Sequence, residues 1–446
     1  MDMHNFVHLN VHSHYSLLQS TATIKDIVYT ARRLNMPAIA LTDHGRLFGV
    51  IEFYRCAKKY GIKPLLGFLA YVSPYDLDLK VKGPMFHLVL LARNNNGYRN
   101  LVKLSTIANT KGFYYKPRVN PELLNNHSEG LIALSGSLAG EVPALLLKNR
   151  KNEAIKAVKR YQEIFGKENF FIEIQNHGIP QQQMILAELV DIARKCKAPI
   201  VATNNCYYAE PDDWQAQDAL TCIGQNAQIN DKYRMRFPPA EFCIKSYQEM
   251  AKLFADYPDS ISNTFRIAES CNVQLNLETT ASTRLNVFGS KASKSIPMPE
   301  AINPEKKINQ KGRQIRLAGI ASFKAFRPKT ALQDIGKVLA MKSSEVNQIA
   351  EFVSYKPGEN LKKIIQDIPE LRQIMKSGTK QQQKLLSLAS IIDGLVESVQ
   401  VHSGSKLLFS EDSMDVIPFY RDAECEMVSQ YGMSSLEALG FAKKLL

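Results

Sequence analysis

The sequence has few of the features that send a chain into a membrane or out of the cell. No apolar run approaches the roughly 18 residues that a membrane-spanning helix needs, so none is predicted. The first residues carry no basic-then-apolar signal pattern. His12 and His14 fall where the apolar core of such a signal would lie. The seven cysteines are scattered without paired spacing, so neither a zinc finger nor a disulfide framework is indicated, and Cys206 and Cys222 read as packing residues. A reducing cytoplasm is the natural compartment for such a chain.

What is present is ample material for a core. Of 446 residues, 45% are hydrophobic and 22% charged, and the length suits two or three domains. The formal net charge of +13 favours a polyanionic partner.

The N-terminal stretch Phe6-Val7-His8-Leu9-Asn10-Val11-His12-Ser13-His14 reads as a buried strand ending in two histidines. Side chains at i and i+2 of a strand point to the same side, so His12 and His14 can meet one ion there if the strand runs that far. Six later segments repeat the plan: 38–44, 64–69, 87–92, 131–137, 170–175 and 200–205. Continuous apolar strands alternating with helices imply a parallel sheet buried on both faces. The predicted fold is α/β, a distorted seven-stranded parallel barrel over 1–208 with its chemistry at the carboxyl ends of the strands. His177, at another strand tip, reads as a turn-stabilising residue.

Residues 209–277 read as a helical extension of the barrel and 278–305 as a linker rich in Ser, Thr, Ala, Asn and Pro. The rest, 306–446, reads as mostly helical. It opens on a basic run in which 306–329 holds eight Lys and Arg and no acidic residue. Lys306, Lys307, Lys311, Arg313 and Arg316 are the candidate DNA contacts, because Lys and Arg dominate phosphate binding. A solvated face is the competing reading.

Three strings carry a family resemblance: Val7 to Leu18, Leu41-Thr42-Asp43-His44-Gly45, and Lys111-Gly112-Phe113-Tyr114-Tyr115-Lys116-Pro117-Arg118. They resemble the bacterial replicative DNA polymerase III alpha subunit, and in particular its N-terminal polymerase-and-histidinol-phosphatase (PHP) domain. Ala331 to Leu339 and Pro418-Phe419-Tyr420-Arg421-Asp422 resemble stretches of its polymerase region. The resemblance implies a (β/α) PHP barrel followed by a remnant of the palm and thumb region.

Departures from the family pattern bear on activity. Polymerase chemistry needs an Asp-x-Asp pair to hold two magnesium ions. None occurs between 278 and 330, the Gly-Ser-rich segment is missing, and Ala442 stands near where a third Asp belongs. A magnesium polymerase site is therefore expected to be absent. At the barrel, His12, His44 and His87 match ligand positions of the family's metal-binding version, and His14 is an extra imidazole. Asn10, Gln19, Leu69, Ser137, Asn205 and Tyr207 stand where the family places other ligands. Without bridging carboxylates, one zinc on three or four imidazoles is the most the set supports. Asp43 is expected to orient an imidazole from behind. The other reading makes these histidines hydrogen-bonded relics in a filled mouth. Three functions follow from the resemblance: a replication-associated alpha-subunit homologue without polymerase chemistry, a metal-dependent phosphoesterase or exonuclease, and a non-catalytic module that meets the proofreading exonuclease subunit or other replication proteins. Weak, non-specific DNA binding is expected, and no membrane.

Overall fold

The computed structural model describes residues 6–277, 308–310, 313–354 and 358–441. The N-terminal half is the expected α/β barrel. Its strands are β1 (Ala38–Leu41), β2 (Lys63–Val72), β3 (Phe86–Ala92), β4 (Phe113–Tyr114), β5 (Lys116–Val119), β6 (Leu131–Leu134), β7 (Phe170–Ile174) and β8 (Ile200–Ala202). The sheet runs in the order β4-β5-β2-β3-β6-β7-β8, with β1 also on β2. The extended segment Phe6–Val11 closes the ring. On one side it pairs with β1, where Ala40 N donates to His8 O and Thr42 N to Val11 O. On the other, Cys206 N donates to Asn10 O and His12 N to Cys206 O.

Two strands depart from the all-parallel expectation: the short β4 is antiparallel to β5 at the sheet's edge, and β3 is reversed within the ring. β3 runs antiparallel to both β2 and β6. The connection between β2 and β3 contains no helix, and a parallel neighbour needs a crossover long enough to return the chain to the same end. The reversal matters for the site: His87 begins β3 opposite Tyr71, near the end of β2.

Val7, Leu9, Leu65, Val89, Leu91, Ile132, Leu134 and Val201 fill the barrel interior, and Ile267, Ala268 and Cys271 join them from the region of helix Pro258–Ser270. That helix closes the amino end of the barrel: Thr264 Oγ1 accepts from Val7 N, and Lys63 Nζ donates to Ala268 O. The outer helices start where capping chemistry allows. Thr23 and Asp26 form a reciprocal capping box at helix Ile24–Arg33. Helices Lys151–Phe165 and Pro180–Cys196 match the helical periodicity of the sequence.

Between 328 and 392 the described residues are mostly helical, as the periodicity implies, but the helices are inserted in a sheet. β9 (Ile308–Gln310) and β10 (Arg313–Ala325) precede them, and β11 (Val396–Phe409), β12 (Phe419–Arg421) and β13 (Met427–Gly432) follow. β10 lies between β11, antiparallel, and β13, parallel. The five inserted helices share a core with helix Trp214–Gln225. The sheet packs on the barrel's outer layer through Phe409, Phe419 and Tyr431. Polar contacts fix the junction: Leu47 N donates to Gln430 Oε1, Phe419 N to Thr106 Oγ1, and the hydroxyls of Tyr98 and Tyr431 share a hydrogen bond. Lys306, Lys307, Lys311 and Ala442 lie outside the described residues. Arg313 and Arg316 fall in β10, and Lys324 further along it is ion-paired with Glu397.

Candidate functional site: the mouth of the barrel

His12, His44 and His87 come together at the carboxyl end of the barrel. Ring centroids of His12 and His44 are 4.4 Å apart, and those of His44 and His87 are 5.9 Å apart. Two tyrosines complete the cluster. Tyr207 lies 4.6 Å from His12, and Tyr71 lies 5.3 Å from His87.

The hydrogen bonds fix which nitrogens are engaged. His12 Nδ1 is 2.7 Å from Thr42 O, a carbonyl that only accepts, so Nδ1 carries the proton. Burial lowers the pKa of His12 from 6.5 to about 4, so the ring is neutral and Nε2 keeps a lone pair. The Asn205 side chain is 2.8 Å from that nitrogen. Its amide therefore presents its NH2 to Nε2. His44 is held between two phenols, with Nδ1 2.9 Å from Tyr71 Oη and Nε2 3.2 Å from Tyr207 Oη. One ring nitrogen donates and the other accepts. Burial pushes both phenols up, Tyr71 to about 12. The ring nitrogens of His87 have no hydrogen-bond partner among the described residues. The ring meets those of His44 and Tyr71 edge to face.

Positive charge flanks the cluster. Burial pushes His44 well below its ordinary value, and the neighbouring His12, His87 and Lys116 push in the same direction. His87 falls to about 4, chiefly by burial, with His12 and Lys116 adding to it. Lys116 Nζ lies 5.6 Å from the Tyr71 ring.

Two sequence expectations are corrected. His14 does not join the cluster. The extended segment ends at Ser13, which caps a 3-10 turn over His14–Ser16, so the i, i+2 rule stops applying. His14 packs on Tyr15, and its Nδ1 accepts from Val396 N at the start of β11. Asp43 does not orient an imidazole. Its carboxylate accepts from Ser13 N, Ser13 Oγ and Ser16 Oγ, so it ties down the turn that leads His14 away. Burial raises Asp43 to about 6 against those three bonds.

A second acid stands at the strand tips. Glu173, fully buried on β7, accepts from Asn10 Nδ2, Gln175 Nε2 and Thr203 Oγ1. Burial raises its pKa. An acid inside the apolar run 170–174 was the signal for it. Ser137 and Glu173 line a small cavity of about 10 Å³, room for about one water. Leu69 is buried beside His44. His177 is structural: Nε2 donates to Asn204 O, Nδ1 accepts from Gln182, and the ring stacks on Phe242 at 4.0 Å.

These donors do not fit a metal cluster. Both nitrogens of His12 and of His44 have protein partners, Leu69 and Asn205 stand where the resemblance implies carboxylates and Tyr207 where it implies a histidine, and Lys116 sets a cation beside the rings. Among the described residues no group of three or more His, Cys, Asp or Glu is disposed to hold a metal ion.

The architecture and the histidine-lined mouth define a PHP-type barrel, and residues 8–177 match the family description "PHP domain". Residues 306–444 match "Bacterial DNA polymerase III alpha NTPase domain". The chain belongs to the DNA polymerase III alpha subunit family, in the N-terminal region of that subunit. It is 45% identical to the alpha subunit of Treponema pallidum over 275 residues, 61% of this chain and 24% of the relative. To the alpha subunit of Borreliella burgdorferi it is 30% identical, over 98% of this chain and 48% of the relative. The chain thus spans between a quarter and a half of the length of these relatives. The Borreliella alignment runs over 550 residues, more than the 446 of this chain, so the relative carries residues that this chain lacks. Among solved structures, a candidate metal-dependent phosphoesterase from Bifidobacterium adolescentis is 14% identical with a TM-score of 0.29, covering 45% of this chain and 86% of that one, a likeness too low to carry an argument. Among the described residues no helix is long and apolar enough to cross a membrane.

Proposed function

We propose that this chain serves DNA replication as an alpha-subunit homologue without polymerase chemistry, acting as a non-catalytic module in the cytoplasm. The observation that carries the reading is the sealed mouth. His12 and His44 spend all four ring nitrogens on Thr42, Asn205, Tyr71 and Tyr207. A neutral network of this kind holds the barrel's shape without an ion, which leaves the surface free to meet partners. The proofreading exonuclease subunit or another replication protein is the expected partner class, with DNA bound weakly through the basic run. Loss of polymerase chemistry is supported by the missing Asp-x-Asp pair and by the residues that the Borreliella relative carries in excess. The test is primer extension by the purified chain with magnesium, alongside pull-down of the organism's exonuclease subunit. Incorporation that a chelator abolishes and a mock purification lacks would overturn the reading.

The competing reading is a metal-dependent phosphoesterase or exonuclease. Its one favourable observation is His87, whose ring nitrogens are uncommitted. A single zinc there would have to take His12 from Asn205 and His44 from a tyrosine.

A further inference from the structure

We propose that the small cavity beside Glu173 holds a monovalent alkali cation, of about the size of potassium, which neutralises the Glu173 carboxylate where the barrel closes. The inference stands apart from the sealed mouth, whose histidines it does not use. Glu173 is 2% exposed, and its carboxylate has no ion pair among the described residues. The polar side of the cavity is lined by Gly136, Ser137, Gln175 and Gln182, and no Lys, Arg or His lines it. A buried charge is ordinarily paired or bound to a metal ion.

The hydrogen bonds of this carboxylate are lopsided. Oε1 accepts all three, from Asn10 Nδ2 at 3.0 Å, from Gln175 Nε2 at 2.8 Å and from Thr203 Oγ1. Oε2 is buried and has no hydrogen-bond partner among the described residues, a group that calls for an ion or a water. The three donors favour the ionised form, and burial opposes it. An ionised carboxylate spreads its charge over both oxygens, so Oε2 sets negative charge against the cavity. A water there satisfies the lone pairs but leaves the charge; a cation does both.

Size and the remaining oxygens select the ion. The cavity has room for about one water, and potassium is close to a water molecule in size. Hard cations take oxygen ligands. Two lining oxygens have lone pairs to spare: the Ser137 hydroxyl is approached by Ala139 N at 3.5 Å, and the Gln175 carbonyl by Gln182 Nε2 at 3.4 Å. One carboxylate among neutral oxygens balances one positive charge. A transition metal would lack the imidazole or thiolate ligands it prefers. The ion would also bear on the fold. Through Glu173 it joins Asn10 on the first extended segment, Gln175 after β7 and Thr203 after β8, so its occupancy sets how firmly these elements hold together.

The experiment is thermal unfolding of the full chain in potassium, lithium and tetramethylammonium chloride at one ionic strength, with Glu173→Gln beside the wild type. Potassium is expected to raise the wild-type midpoint by about 2–4 °C over tetramethylammonium, saturating with its concentration, and lithium to raise it less. Glu173→Gln can keep the three hydrogen bonds on its amide oxygen but removes the charge, and it is expected to lose the potassium-specific rise. Crystals grown with thallium(I), an anomalously scattering substitute for potassium, are expected to show a peak beside Glu173 Oε2 in the wild type. That peak is read without the variant, so it tests the site even where Glu173→Gln does not fold. An equal potassium rise in the two proteins would make it a general salt effect, and a cavity without a thallium peak would hold water only. Either result would overturn the proposal.

Discussion

Asn205 meets His12 at 2.8 Å through the ring nitrogen that a metal ion would otherwise require. The contact replaces an ionic bond by a neutral one. It also joins two ends of the barrel closure, since His12 follows the first strand and Asn205 the last. Tyr207, two residues on, meets His44 Nε2 at 3.2 Å. The mouth is thus a polar network with no formal charge at its centre.

Removing one member should cost stability. Tyr207→Phe deletes a buried hydroxyl and leaves His44 Nε2 short of a partner. The expected loss is about 1–3 kcal/mol in urea unfolding. An unchanged midpoint would mean that the hydroxyl contributes nothing to the fold.

The histidines also set the acid limit of the protein. His8, His12, His87 and His177 are each lowered from 6.5 to about 4 by burial, and His44 well below 6.5. The unfolded chain then binds more protons than the folded one as pH drops below 6.5. Their contribution is complete above 6.5 and is lost as pH falls toward 4. Asp43, raised to about 6, and Glu173, Asp213 and Asp393, also raised by burial, act with the opposite sign, but they are fewer than the lowered histidines. Denaturation midpoints should therefore fall clearly between pH 7 and pH 5. A flat profile over that window would contradict the buried, neutral assignment.

Much of this was legible in the sequence and some was not. Apolar runs located the strands because both sheet faces are buried. His12 and His44 could be placed at one end because they follow strands that end there, whereas His87 opens its strand, was placed only by its match to the family's ligand positions, and reaches the mouth because β3 is reversed. His14 escaped because the i, i+2 rule assumes extended backbone, and Ser13 instead turns the chain by bonding Asp43. The reversal of β3 escaped because burial on both faces reads alike in either direction. β10 escaped because its basic residues looked like a solvated helical face, whereas its apolar centre lies between β11 and β13. Tyr71 and Tyr207 could not be read as partners of His44, since they are distant in sequence.

Polymerase activity should be absent. With magnesium and a primed template, no incorporation above a mock purification is expected, because two-metal catalysis lacks its carboxylates. Chelator-sensitive extension is the result that would refute this.

DNA binding should be weak, independent of sequence and steeply salt-dependent. Replacing Lys306, Lys307, Lys311, Arg313 and Arg316 by alanine should flatten the slope of log K against log salt by up to about five. A slope unchanged by the five substitutions would make the basic run a solvated face.

The most direct test of the sealed mouth is the metal content of the purified chain by mass spectrometry, for wild type and for His12→Ala. With Asn205 and Tyr207 already on the imidazoles, the account predicts at most one transition metal, held so weakly that gel filtration removes it, and no difference between the two proteins afterwards. Two or more equivalents of zinc or manganese that survive gel filtration in the wild type and are lost from His12→Ala would contradict it.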